Sequence, residues 1–272
     1  MKNRWLWRYV HFNELKKTGV AMLSERELER YDRQMLLPEI GQAGQEKLKR
    51  SEVMIAGAGG LGSPVAIYLA AAGVGSLKIV DHDRVSLSNL NRQILHGDAD
   101  IGDRKVDSAA RRLIRLNSEI TVEAVAETLT EANVLALSAG CDVLVDALDN
   151  VATRFILNQT ALMQGIPLIH GAVNGFEGRA MTIIPGRSAC LRCMHSGRAP
   201  ASDSSKFPVV GVVPGVIGAI QAAEVIKVLL NIGTPLVNRL MVYDGFSMSC
   251  REFKININPQ CEHCGSTGKE RV

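Results

Sequence analysis

Gly57-Ala58-Gly59-Gly60-Leu61-Gly62 follows the apolar stretch EVMIA (52–56) and leads into the apolar run that starts at Val65. Gly57, Gly59 and Gly62 stand at the spacing GxGxxG. Glycines let a backbone come close to a phosphate, and a helix starting there offers N–H groups and partial positive charge. Asp81 closes the next apolar stretch, LKIVD, near the distance at which a carboxylate meets ribose hydroxyls. Alone, this pattern speaks for a nucleotide and favours a dinucleotide. Its bland reading is a tight turn that packs a helix on a strand.

The residues that follow shift the balance. Asp81-His82-Asp83-Arg84-Val85-Ser86-Leu87-Ser88-Asn89-Leu90-Asn91-Arg92-Gln93 comes at once, Lys105 heads the next helical stretch, and Arg33 lies upstream in Tyr31-Asp32-Arg33-Gln34. The pyrophosphate of a dinucleotide is doubly negative, and backbone N–H groups largely suffice for it. A triphosphate carries more charge, and pyrophosphate gathers still more as it leaves, which calls for positioned cations and a metal ion. Arg33, Arg92 and Lys105 supply candidate cations. Asp149, at the tip of CDVLVDALDN, is a candidate oxygen ligand for Mg²⁺, because open α/β sheets bind ligands at the carboxyl ends of their strands. Each has a bland reading: a lone arginine is usually solvated, and Asp149-Asn150 would serve well to cap the following helix. The combination carries the argument.

Four of the six cysteines form two CxxC pairs, Cys190/Cys193 and Cys261/Cys264. Four thiolates hold Zn²⁺ tetrahedrally and leave no open position, so this zinc would be structural. The rival reading, a redox dithiol, does not explain two pairs jointly. His195 and His263 are near enough in sequence to substitute as ligands, though two complete pairs need no substitute. Cys141 and Cys250 fall in expected strands, where thiols are usually buried and inert.

The elements that must position these groups read as α/β. The 272 residues are 46% hydrophobic and 22% charged, an ordinary globular composition that fits one large domain. Net charge is +3 with acids and bases mixed, which speaks against a nucleic-acid partner. No apolar run approaches the roughly 20 residues of a membrane span, and the N-terminus is a poor signal peptide. A cytoplasmic location is expected. Residues 1–23 read as a loosely packed N-terminal extension, disordered in the manner of free termini, and 24–272 as the domain. Ser24 with Glu27 forms a capping box. Strands are expected at 52–56, 77–81, 120–125, 141–148 and 167–170, alternating with helices at 65–72, 103–117 and 151–164. That alternation predicts a Rossmann-like, mostly parallel sheet with helices on both faces. Residues 173–184 read as strands joined through glycines, 198–206 as a mobile loop, and 213–230 as a long apolar helix. The last strands, at 240–244 and 250–257, are expected to complete an antiparallel C-terminal part.

Taken together, YDRQMLLPEIG, GAGGLGSPVAIYLAAAGVGSLKIVDHDRVSLSNLNRQILH, IGDRKVDSA, DALDNVATRFILN, GAVNGFEG, CLRC, PGVIGAIQAAEVIK and CEHC resemble the MoeB/ThiF/HesA adenylyltransferases, relatives of ubiquitin-activating enzymes. They run from Tyr31 to Cys264 in that family's order. The resemblance implies roles. Gly60 and its turn would contact ATP, Asp81 the ribose, and Ser88, Asn89, Leu90, Asn91 and Arg92 with Lys105 the phosphates. Asp83 and Gln93 belong to the same segment, and Asp149 would ligate Mg²⁺ with Asn150 beside it. It also implies a homodimer in which Arg33 enters the partner's active site. The reaction would join AMP to the C-terminal glycine of a ubiquitin-like sulfur-carrier protein (MoaD- or ThiS-like, with a Gly-Gly tail) and release pyrophosphate. Many members carry a reactive loop cysteine eleven residues before the glycine matching Gly215; here that position is Ser204. A hydroxyl at its ordinary pKa does not replace a thiolate, so a separate sulfur donor is expected. The alternatives are a NAD-dependent oxidoreductase, which leaves the cations and Asp149 without a role, and a non-catalytic binding module for a ubiquitin-like protein.

Overall fold

The computed structural model of the chain describes residues 22–195 and 208–265. Most of the expected extension, and Ser204 with its loop, lie outside the described residues. Helices α1 (Glu25–Arg30), α2 (Asp32–Met35) and α3 (Gly41–Arg50) come first. Ser24 starts α1: its hydroxyl accepts from the Glu27 N–H at 3.2 Å, and its own N–H donates to the Glu27 carboxylate at 2.8 Å. That is the capping box expected there.

The alternating part follows as β1 (Glu52–Ala56), α4 (Gly62–Ala71), β2 (Ser76–Val80), α5 (Lys105–Leu116), β3 (Thr121–Val125), α6 (Val134–Ser138), β4 (Val143–Asp146), α7 (Val151–Gln164) and β5 (Leu168–Asn174). After it come β6 (Glu177–Ile183), α8 (Leu191–Met194), α9 (Val212–Leu230), β7 (Arg239–Asp244) and β8 (Ser249–Lys254). The eight strands form one sheet in the order β3-β2-β1-β4-β5-β6-β7-β8. β1 to β5 pair in parallel, and β5 to β8 pair antiparallel.

Pleating divides the core in two. Val53, Ile55, Leu77, Ile79, Val143 and Val145 face α3, α4, α5 and α9, whereas Met54, Ala56, Val80 and Leu144 face α6, α7 and α8. This is why the central strands are apolar throughout. The chain leaves β1 on one side through β2 and β3, then returns to lay β4 on the other. The carboxyl ends of β1 and β4 therefore frame the crevice where the strand order reverses, the usual place for a ligand in such sheets.

One expectation fails. α9 has 19 residues with a mean hydropathy of 1.7, long and apolar enough to cross a membrane. It is nonetheless a core helix, and Glu224 and Gln221 on it make hydrogen bonds inside the protein. The Glu224 carboxylate accepts from the Leu236 N–H at 2.7 Å and from the Thr182 hydroxyl, and Gln221 donates to two strand carbonyls.

Candidate nucleotide site

The glycine turn joins β1 to α4 at the crevice. Gly57 adopts φ +103°, and a Cβ on it would lie 2.5 Å from the Ala147 carbonyl oxygen, just beyond β4. A Cβ on Gly62 would lie 1.9 Å from the Gly57 carbonyl oxygen. These two glycines close the turn upon itself and upon the neighbouring strand. Gly59 and Gly60 are different, for a Cβ there would meet the side chains of Gln93 at 3.5 Å, and of Pro214 and Arg92 at 3.3 and 3.5 Å. They keep open a narrow space walled by Arg92, Gln93 and the start of α9. Beside this turn the Gln93 Oε1 and Ser63 Oγ atoms are buried without a hydrogen-bond partner among the described residues. Buried polar atoms of that kind are usually satisfied, and a polar ligand in the space fits them.

Carboxylates link the turn to a cation. Asp81 accepts from the Ala58 N–H and from the Asp83 N–H, both at 2.8 Å. Asp83 in turn accepts from the buried Lys105 ammonium at 2.8 Å. Burial raises the Asp83 carboxyl, but Lys105 outweighs it and holds the group below the ordinary carboxylate value. Asp83, expected in the nucleotide-binding segment, holds Lys105 in place.

Arg92 lies across Gly60 with its guanidinium donating to the Ser88 carbonyl and the Asn91 side-chain oxygen, each at 3.0 Å. The Asn89 side-chain oxygen accepts from the Ser86 N–H at 3.3 Å. Ser88, Asn89 and Asn91 thus shape the loop that carries Arg92. The backbone of Gly211, before α9, approaches so closely that a Cβ there would lie 2.2 Å from the Asn91 carbonyl oxygen. The first turn of α9, which carries Pro214, therefore borders the same space.

Asp149 is exposed on the short connection from β4 to α7. Asn150 beside it caps α7, accepting from the Thr153 N–H at 2.9 Å, so the bland reading holds for Asn150. Arg33 is not brought to the others within one chain. Its neighbours Tyr31 and Gln34 pack at the far end of α4, where Gln34 donates to the Ala72 carbonyl at 3.1 Å and the Tyr31 ring blocks any Cβ on Gly73. A ten-residue helix, about 15 Å long, separates that end from the glycine turn. The Arg33 side chain is exposed.

Residues 31–263 match the model of the ThiF family. The chain belongs to the ThiF family. It is 43% identical over 255 residues to the SAMP-activating enzyme E1 of Haloferax volcanii, covering 92% of this chain and 93% of that one. It is 42% identical to the sulfur carrier protein adenylyltransferase of Thermus thermophilus, covering 91% and 94%. Among solved structures it resembles E. coli MccB with ATP, with a TM-score of 0.77, 25% identity, and coverage of 94% of this chain and 80% of that one.

In this ThiF-family chain the two CxxC pairs meet. The Cys190, Cys193, Cys261 and Cys264 sulfurs all lie within 4.8 Å of one another, with Cys190–Cys261 at 3.7 Å and Cys193–Cys264 at 3.4 Å. That is a donor set for a closed tetrahedral ion. Hydrogen bonding from Cys264 pushes the Cys190 thiol down to about 5, while Cys264 is driven up. With a divalent ion bound, all four would be thiolates. The histidines stand aside, His263 accepting from the Asn158 amide at 2.9 Å and His195 lying edge-on to Phe155. Asn158 also accepts from the Leu191 N–H at 3.1 Å, and Arg192 lies over Phe155. Through these contacts the cysteine loops rest on α7, the helix that begins beside Asp149.

The remaining thiols divide. Cys141 is buried, and burial pushes it up to about 12, as an inert thiol should be. Cys250 is exposed, contrary to expectation. It lies on β8, an edge strand whose residues largely face water.

Sequence reasoning missed His96. Its Nε2 donates to the Ala58 carbonyl in the glycine turn at 3.1 Å, and its Nδ1 accepts from the Ser108 hydroxyl at 2.8 Å; a carbonyl only accepts, which fixes the tautomer. It missed Arg154 as well. A histidine following the arginine segment, and an arginine in the first turn of an apolar helix, were the available signals.

Proposed function

We propose that this chain uses ATP to adenylylate the C-terminal glycine carboxylate of a ubiquitin-like sulfur carrier. A carboxylate oxygen attacks the α-phosphorus, the bond to the β-phosphate oxygen breaks, and pyrophosphate leaves. The observation that carries this reading is the open cradle at Gly59 and Gly60, walled by Arg92 and linked through Asp81 and Asp83 to Lys105. The glycine turn at the start of α4 would bind the phosphates through its N–H groups. Arg92 and Lys105 would neutralise charge as pyrophosphate forms, and Asp81 would hold the ribose. Asp149 would hold Mg²⁺, which would supply charge stabilisation as pyrophosphate forms. Most of the catalysis on this reading is positioning and charge neutralisation.

The near full-length relatives named for sulfur-carrier and SAMP activation support the substrate class. They also favour adenylylation over nicotinamide chemistry. The four sulfurs would take a structural Zn²⁺, and reduced thiols of this kind suit a cytoplasmic protein. A homodimer, with Arg33 acting in the partner's site, accounts for an arginine that its own chain leaves far from the turn. With Ser204 at the loop position, sulfur would come from a separate donor protein. A carrier–enzyme thioester that survives a non-reducing gel would contradict that last point.

Carrier-dependent exchange of labelled pyrophosphate into ATP tests the reading. Arg92→Ala and Asp149→Ala are each expected to lose exchange by at least about a hundredfold with unfolding midpoints close to the parent's. Normal exchange by both variants sinks the site assignment.

A further inference from the structure

Asp149 stands on a connection of four residues between Asp146, the last residue of β4, and Val151, the first of α7. So short a segment needs its backbone groups satisfied if it is to hold one position. One end is fixed by the Asn150 cap. At the other end the Leu148 N–H donates to the Asp146 carboxylate at 3.2 Å. The Leu148 carbonyl, in the peptide unit that leads into Asp149, is taken by the guanidinium of Arg154, which reaches back from the first turn of α7.

That guanidinium has other fixed partners. It donates to the Gly171 carbonyl on β5 at 2.8 Å, and its Nη1 lies 3.6 Å from the Asp146 carboxylate. Asp146 is fully buried, with His170 donating to it from β5 at 2.7 Å. A buried carboxylate needs such partners, because burial disfavours its charge. Gln221 of α9 donates to the Asp146 carbonyl at 2.8 Å and the Ile169 carbonyl at 3.2 Å. The seat is therefore part of the core, tied to two strands and the long helix. A planar fork spreads its donors over a strand carbonyl, a loop carbonyl and a carboxylate, a span that a compact ammonium does not match.

We infer that Arg154, seated on Asp146, is the positioning residue for Asp149 and thereby sets how much magnesium the site requires. This rests on the magnesium role assigned to Asp149 above. Arg154 touches no reacting atom on this account; it acts by holding the peptide that Asp149 follows. Residues that orient metal ligands typically contribute about 10- to 100-fold in metal affinity.

The test uses the full-length protein and Arg154→Lys. Three readouts are expected to move. In the free protein, amide hydrogen exchange of a peptide covering 147–150 quickens about tenfold. Manganese affinity, measured by electron paramagnetic resonance with a non-hydrolysable ATP analogue, falls by about tenfold. The half-saturating magnesium concentration for pyrophosphate exchange rises by a like factor, while KM for the carrier stays unchanged. Arg154→Ala regains manganese affinity when free guanidinium is added. Should Arg154→Lys fail to fold, Asp146→Asn, which keeps the shape of the seat and removes its charge, carries the same expectations. A folded variant with parental loop exchange, manganese affinity and magnesium demand overturns the inference. Asp149→Ala is measured in parallel. Loss of manganese binding there, with unaltered Arg154 variants, overturns this inference alone, whereas parental binding by Asp149→Ala overturns the magnesium reading and this inference with it.

Discussion

Gly60 and Gly62 sit two positions apart in one turn, yet replacing them should do different things. A methyl group on Gly62 would fall 1.9 Å from the Gly57 carbonyl oxygen. The turn cannot keep its shape, so Gly62→Ala should lower stability by about 3 kcal/mol or more, read from the denaturant midpoint. On Gly60 the same methyl meets Pro214 at 3.3 Å and the Arg92 stem at 3.5 Å, contacts that small shifts relieve. Gly60→Ala should keep nearly parental stability and weaken ATP binding, seen by calorimetric titration. His96 gives a pH dependence. Burial and Lys105 hold its imidazole below the ordinary value, while the Ala58 carbonyl, Asp100 and Asp81 oppose them in part. Folded and unfolded chains are both neutral there above about pH 6.5, so its contribution is complete at neutral pH. As pH falls below that, the unfolded chain takes the proton first, and stability declines by up to about 1.4 kcal/mol per unit. His170 is held down by burial in the same sense. His96→Asn should therefore flatten the fall in melting temperature between pH 7 and 5.5; an unchanged slope refutes this account.

At the scale of elements, the capping side chain of Asn150 both starts α7 and anchors the connection bearing Asp149. Asn150→Ala should destabilise by about 1 kcal/mol, with a loss of exchange activity larger than that destabilisation explains. Most elements were legible in the sequence, because strands buried on both faces read as apolar runs and the glycine turn punctuates them. β5 was not, since it runs on to Asn174 where a stop was expected near His170. Gly171 looks like a breaker in the sequence, but its bare backbone admits Gln221, whose side chain a Cβ would meet at 2.4 Å. That fit belongs to a helix some fifty residues away and leaves no local trace. α6 and α8 were missed for the plainer reason that they are single turns. In the candidate site, the glycines stood out by spacing, and Arg92 only in combination with Arg33, Lys105 and Asp149. Arg154 did not, for an arginine in a first helical turn reads as a solvated side chain until Asp146 is found beneath it.

At the scale of the molecule, two features reach beyond one element. If Arg33 serves the neighbouring subunit, then Arg33→Ala and Asp149→Ala are each inactive alone but complement when mixed. Random reassortment leaves half the dimers mixed with one sound site each, so about a quarter of parental exchange should return; no recovery after subunit exchange argues against the dimer arrangement. The sulfur cluster is the other feature. Cys264→Ser should take bound zinc from about one per chain to near zero and lower the unfolding midpoint on the order of 5–10 °C, checked by elemental analysis and calorimetry. Its partners stand 71 residues apart along the chain, and α9, β7 and β8 all lie on the path between them. A metal on those sulfurs makes that path a closed ring. A protease that nicks the ring once leaves both fragments on the same ion as well as in the same sheet, and the damage stays hidden until denaturant and a chelator together let the two halves part.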